Sequence, residues 1–351
     1  MPGGVPLRPL AVGDILSGAF TLIRRNPVAT LGIAAIVELL AGVVTTVISW
    51  SEQKLTYHLL RTLKSESAAG HVSGTTFAHF FGSFLSFFFV TLVITLVAES
   101  ILTGMLTGAL GRGLIGDKVT IGEAWRIARI GSVIAVTLLI LVIAIGPWIV
   151  VGALVAALAV AKITAGAVLL GVVGFLALIP VTIWISVQLV VAVPAIVLEH
   201  ASPVAALRRS WQLVRGSWWR VFGIYLLTSV VVFVIAAIIE IPFTIIRVVI
   251  GHGGSPLAGL ASTAAPSLLA LIIGGIGTVI ATTITRPVSA GVIVLLYADL
   301  RMRKEGLDLV LQQGSQAQGM SGQQFASMWQ PGSGAPPGAG PGAPPTGPPS
   351  W

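Results

Sequence analysis

Six stretches of this chain are long, apolar and almost free of charge: residues 28–50, 83–111, 132–161, 164–198, 219–248 and 266–298. A bilayer core of about 30 Å is crossed by roughly 20 apolar residues in a helix, so each stretch is long enough to span. The third and fourth are separated only by Lys162 and together exceed one span, which predicts a tight hairpin there. Charged residues are 9% of the chain and hydrophobic ones 55%, with mean hydropathy +0.98, whereas an ordinary soluble domain has roughly 25% charged residues. Too little polar surface is left to coat a soluble globule, which excludes an ordinary soluble enzyme. With no cysteine in the chain, disulfide frameworks, zinc-thiolate sites, iron–sulfur clusters and cysteine nucleophiles are excluded as well. The expected fold is an all-α integral membrane protein with six transmembrane helices.

Lys and Arg collect in cytoplasmic loops. Here Arg8, Arg24 and Arg25 precede span one, Arg112, Lys118, Arg126 and Arg129 precede span three, and Arg208, Arg209, Arg215 and Arg220 precede span five. Arg301, Arg303 and Lys304 follow span six, while the opposite loops hold only Lys54, Arg61, Lys64, Lys162 and Arg247. This asymmetry places both termini in the cytoplasm, with the protein in the cell membrane. The net charge of +8 is therefore read as topology and not as a nucleic-acid footprint, because the basic residues form no single stripe interleaved with aromatics. The opening MPGGVPLRPL does not read as a secretory signal, since its first apolar run begins only after Asn26 and Pro27.

The basic segments repeat. AFTLIRRNPVATLGI (19–33) aligns without gaps on SWQLVRGSWWRVFGI (210–224), and AWRIARIGSVIAV, from Ala124, forms a central copy. Phe20, Trp125 and Trp211 coincide, as do Arg24, Arg129 and Arg215, one helical turn further on. Thr120 with Glu123 has capping-box spacing, and Ser202 followed by Pro203 starts another helix. The pattern predicts three quasi-repeats, each an interfacial amphipathic helix followed by two spans. Such helices would lie in the membrane plane, rings at headgroup level and guanidiniums near lipid phosphate. They serve either as elbows orienting the next span or as sites for membrane lipids or a protein partner.

PAIVLEHASPVAALRRSWQLVRGSWWRVFGI (194–224), LLYADLRMRKEGLDL (295–309) and LAVGDILSGAFTLIRRNP (10–27) resemble the membrane domain of glycerophosphoryl diester phosphodiesterases and its free-standing bacterial relatives. The resemblance spans roughly residues 8 to 310 and implies a helical membrane module. In the full-length enzymes a separate soluble barrel performs the hydrolysis, and that barrel has no counterpart in this sequence. The resemblance therefore implies no catalytic residue here, and neither enzyme activity nor a metal or cofactor is expected.

An ionisable side chain at mid-membrane costs about 2.5–3.5 kcal/mol even on lenient scales. Counting ~1.5 Å per residue from the inner end of each span, Glu38 lies ~15 Å deep, Glu99 ~20 Å, Arg286 ~18 Å and Gln188 ~15 Å. Four polar groups from four spans thus form one predicted layer, in which Arg286 pairs with Glu99 or Glu38. The layer is either an ion pair fixing helix register or a polar, proton-coupled site. Pro287 frees a carbonyl one turn earlier, and Glu240 and Arg247 are expected near the outer boundary, wetted.

Gly104 and Gly108 have GxxxG spacing, expected to serve packing within the chain. His58, His71 and His79 are expected in or beside a solvated outer loop, where Leu55, Leu59, Leu60 and Leu63 suggest a short surface helix. Residues 1–310 form the expected membrane domain. Residues 311–351, rich in Gly, Pro, Ala and Ser toward their end, form an expected disordered cytoplasmic tail whose Pro-Pro pairs are a possible partner site. Two functions follow: a non-enzymatic membrane module contacting lipids or partners, which requires a dry centre, or a transporter or lipid translocator, which requires a wetted one.

Overall fold

The computed structural model describes residues 8–68, 74–114, 117–251 and 267–306, and these are helical apart from short connections. In chain order the helices are α1 (Val12–Arg25), α2 (Pro27–Ala68), α3 (Gly74–Gly113), α4 (Ile121–Ile127), α5 (Ile130–Val160), α6 (Thr164–Gln188), α7 (Ala192–Glu199), α8 (Pro203–Val214), α9 (Trp218–Gly251) and α10 (Leu268–Glu305). Six segments are long and apolar enough to cross a membrane: Pro27–Gln53, Ser86–Gly113, Ile130–Leu158, Ala165–Glu199, Trp218–Ile250 and Leu268–Glu305. The chain is a multi-pass helical membrane protein.

The short helices start where their caps dictate. Thr120 Oγ1 accepts from the Glu123 amide at 3.3 Å while the Glu123 carboxylate accepts from the Thr120 amide at 2.8 Å, a closed capping box. Ser202 Oγ accepts from Ala205 N ahead of Pro203, whose missing N–H costs nothing at a first helical position. The expected hairpin is present: Lys162, at φ 60°, turns the chain between α5 and α6.

Two expectations change. The fourth apolar run, although it forms one candidate span to Glu199, is not one continuous helix; α6 ends at Gln188, and α7 is a separate, buried helix. Pro194 explains the break, because in a continuous helix its ring would meet the carbonyl of Val190 and one backbone bond would be lost. The short outer helix around residues 55–63 is not separate either. No Gly or Pro interrupts residues 43–68, so α2 continues unbroken to Ala68. His71 and the tail 311–351 lie outside the described residues, as do the side chains of His58 and His79.

The packed core lies at the end of the bundle that carries Leu10 and Glu305. There α10 is nearly all buried from Pro287 to Met302, against α1, α3, α7 and α9. Gly291 receives Ala19 of α1, and Gly104 and Gly108 receive the end of α4 at Ala128 and Ile127. A Cβ at any of the three would sit about 3.0 Å from these neighbours, so the GxxxG pair does serve close packing. The apolar faces of α1, α4 and α8 rest on this core: Ile15, Ala19, Leu22, Ala124, Ala206 and Leu213 are buried. They are not free to immerse in lipid as an isolated interfacial helix would.

Candidate functional site

Arg286 sits near the midpoint of α10 and lies between two carboxylates. Its Nη1 donates to Glu99 Oε1 of α3 at 2.9 Å, and its Nε lies 3.5 Å from Glu38 Oε1 of α2. The pairing expected from the sequence is thus present with both acids at once. The triad is not sealed: the Arg286 side chain is 39% exposed and that of Glu99 36%.

These groups form the floor of a cavity of about 380 Å³ between α2, α3, α9 and α10. From there it runs past Thr45, Thr95 and Thr278 toward Ser49, Arg247 and Leu271, away from the end that carries the termini. Glycines on α10 bring its walls together. A Cβ on Gly275 would stand 2.9 Å from Thr46 Oγ1 of α2, and one on Gly277 2.6 Å from Phe243 Cβ of α9. Glu240 and Arg247, expected at the outer boundary, line this cavity too. Three carboxyl groups therefore share the cavity with two guanidiniums, so one carboxyl has no guanidinium to balance it when ionised. Such a cavity can hold a polar or cationic group at mid-bundle. Among the described residues no cluster of three His, Asp or Glu could hold a metal ion.

Gln188 does not belong to this layer. Its Nε2 donates to the Trp211 carbonyl at 3.2 Å, and its own carbonyl accepts from Ser210 Oγ at 2.9 Å. The break after Gln188 explains the difference: depth counted along a helix to Leu198 placed it too far into the membrane, whereas it ends α6 against α8.

The elbow residues divide. Phe20, Trp125 and Trp211 are all exposed, as are Arg24 and Arg215. Arg129 is the exception. At φ 46° it ends α4, and its guanidinium turns inward, donating to the carbonyls of Ile196 at 3.3 Å and Ala201 at 3.2 Å. It satisfies the C-terminal end of α7 and not a lipid phosphate. Trp211 also packs edge-on against Trp184, their ring centroids 5.1 Å apart.

Two charged clusters escaped the sequence reading, which counted their arginines only as loop charges. Asp299, fully buried, accepts from the Leu10 amide at 2.8 Å, Arg220 Nη2 at 3.1 Å and Arg303 Nε at 2.9 Å. Both arginines also donate to the Leu10 carbonyl. Nearby, Glu199 accepts from Arg209 at 3.0 Å and from the Tyr297 hydroxyl, and Glu305 accepts from Arg209 at 2.7 Å and Arg301 at 2.9 Å. Burial works against the Arg209 charge, but the hydrogen bond to Glu305 and the charges of Glu199 and Glu305 outweigh it and raise its pKa. The available signal was an acid directly after the fourth and the sixth apolar run, Glu199 and Asp299.

Neither the curated proteins nor the solved structures offer a match to this chain. No link to the glycerophosphoryl diester phosphodiesterases emerges from these comparisons. One family matches residues 10–300, from the buried Leu10 that meets Asp299 to the last buried turns of α10, and the chain belongs to it: the domain of unknown function DUF7847.

Proposed function

We propose that this protein is a non-enzymatic transporter or lipid translocator of the cell membrane, working through the cavity above Arg286. One observation carries this reading: the Glu38–Arg286–Glu99 triad opens into a polar cavity, where an ion pair serving only helix register would be packed shut. In this reading both termini are cytoplasmic, as the Lys and Arg asymmetry implies, and the cavity opens outward. The three groups of short helix and paired spans are quasi-repeats. The resemblance to the phosphodiesterase membrane domain fits a module that handles lipid without hydrolysing it.

The absence of native cysteine makes the test direct. Thr278→Cys, on the cavity wall, should react with a membrane-impermeant thiol reagent, because reaction needs a thiolate and hence water. Ser100→Cys, one residue beyond Glu99 but buried, should stay silent. Silence at both positions, with exposed terminal-end cysteines reacting normally in opened vesicles, overturns the reading.

A second reading keeps the protein as a membrane module contacting lipids or a protein partner through its elbows or its proline-rich tail, with no nucleic acid involved. Its support is the exposure of Phe20, Trp125 and Trp211 beside Arg24 and Arg215 at the tightly packed end. In that case replacing the three rings by Ala would abolish partner or lipid contact and leave the cavity untouched.

A further inference from the structure

On the other side of the α2–α10 contact lies an apolar groove of about 690 Å³, lined by Leu39, Val43, Val47, Trp50, Ile272 and Ile276. Four further residues, Gly42, Thr46, Gly275 and Val279, line both the groove and the polar cavity. The wall between the two spaces thus contains no side chain larger than valine. From Leu39 to Trp50 the groove runs about 16 Å at ~1.5 Å per residue, close to half of a bilayer core of about 30 Å. It is one leaflet long. Trp50 closes its outer end, where an indole suits the headgroup level.

We propose that the protein binds a membrane amphiphile with an ammonium headgroup and a hydrocarbon chain, the headgroup in the cavity and the chain in the groove, with α2 and α10 parting at their Gly42–Val279 and Thr46–Gly275 contacts to admit it. This names the substrate class of the transport reading and rests on it. The charge balance selects the headgroup. Glu38, Glu99 and Glu240 face only Arg286 and Arg247, and a carboxylate without a partner cation at this depth is costly. Among the described residues Glu240 has no hydrogen bond or ion pair of its own, and it lies between Arg247 at the outer end of the cavity and the triad on its floor. The groove selects the chain, because a small soluble cation would need no apolar channel of leaflet length against the same wall.

The test uses the full chain carrying Thr278→Cys in phosphatidylcholine nanodiscs, with dodecylamine, ethylamine and dodecyl phosphate as probes and protection from an impermeant maleimide as readout. Dodecylamine should protect at a concentration at least tenfold below that of ethylamine, and dodecyl phosphate should not protect. Adding Ile276→Trp, which fills the groove from an exposed position outside the cavity lining, should raise the dodecylamine requirement about tenfold without changing the unprotected labelling rate. Val43→Trp, from the facing helix, should do the same. Equal potency of the two amines, or no effect of either groove substitution, overturns the chain assignment; protection by dodecyl phosphate overturns the headgroup. Labelling that no amine slows overturns the amphiphile while the cavity stands, and absence of labelling overturns the transport reading beneath it.

Discussion

Arg286 and Glu99, 187 residues apart in sequence, meet at 2.9 Å from α10 to α3, with Glu38 of α2 completing the contact from the other side. One guanidinium therefore couples three spans at the depth where the cavity ends.

Arg286→Ala should leave two neighbouring carboxylates without their cation and cost about 2 kcal/mol, below the ~3–5 expected when a fully buried pair is broken, because the triad faces the cavity. Combining it with Glu99→Gln should restore at least half of that loss. Thermal unfolding in detergent measures both, and equal losses in the single and double variants would show no coupling.

Asp299 is the acceptor that holds the chain entering α1 against α9 and α10. Asp299→Asn should leave Arg220 and Arg303 without their carboxylate beside the Leu10 carbonyl and cost about 2 kcal/mol, below the ~3–5 of a fully buried pair because both guanidiniums are partly exposed. It should also release the N-terminal segment, so that trypsin cleaves after Arg8 faster than in the unsubstituted protein; unchanged cleavage would count against the staple.

Glycine matters in α10 for the space it leaves. Gly277→Leu should cost about 1–3 kcal/mol by overpacking, since even its Cβ would stand 2.6 Å from Phe243. Gly152→Ala, in α5 with no atom within 4 Å of the added carbon, should be neutral or slightly stabilising. The two denaturation midpoints in one detergent decide it.

Glu123 supplies a pH signature at the start of α4. The Thr120 amide and hydroxyl hold its carboxylate below the usual value of 4.5. A depressed folded-state pKa gives stability that is present above 4.5 and lost as pH falls through the lower, folded value. The stability difference from Glu123→Gln should therefore be flat at neutral pH and shrink only in acid. A difference that grows on acidification would contradict the capping box.

The sequence alone determined whatever follows from one-dimensional pattern. The six spans came from apolar runs too long for anything but a bilayer, the hairpin at Lys162 from their near-continuity, and the starts of α4 and α8 from local capping chemistry. It also identified Arg286, Glu38 and Glu99 as needing one another, because charge at mid-membrane demands a partner. The tertiary structure decided the rest. Whether that layer was dry or open depended on how closely Gly275 and Gly277 let α2 and α9 approach α10, a distance no residue pattern encodes. Gln188 left the layer because Pro194 breaks the helix beyond it, so depth stopped following residue count. Arg209 and Arg303 read as ordinary loop charges, and Arg129 as an interfacial residue near lipid phosphate, until packing brought Glu199, Asp299 and the carbonyls of Ile196 and Ala201 to them. A side chain's partner, unlike its hydropathy, is a property of the chain segments that fold beside it.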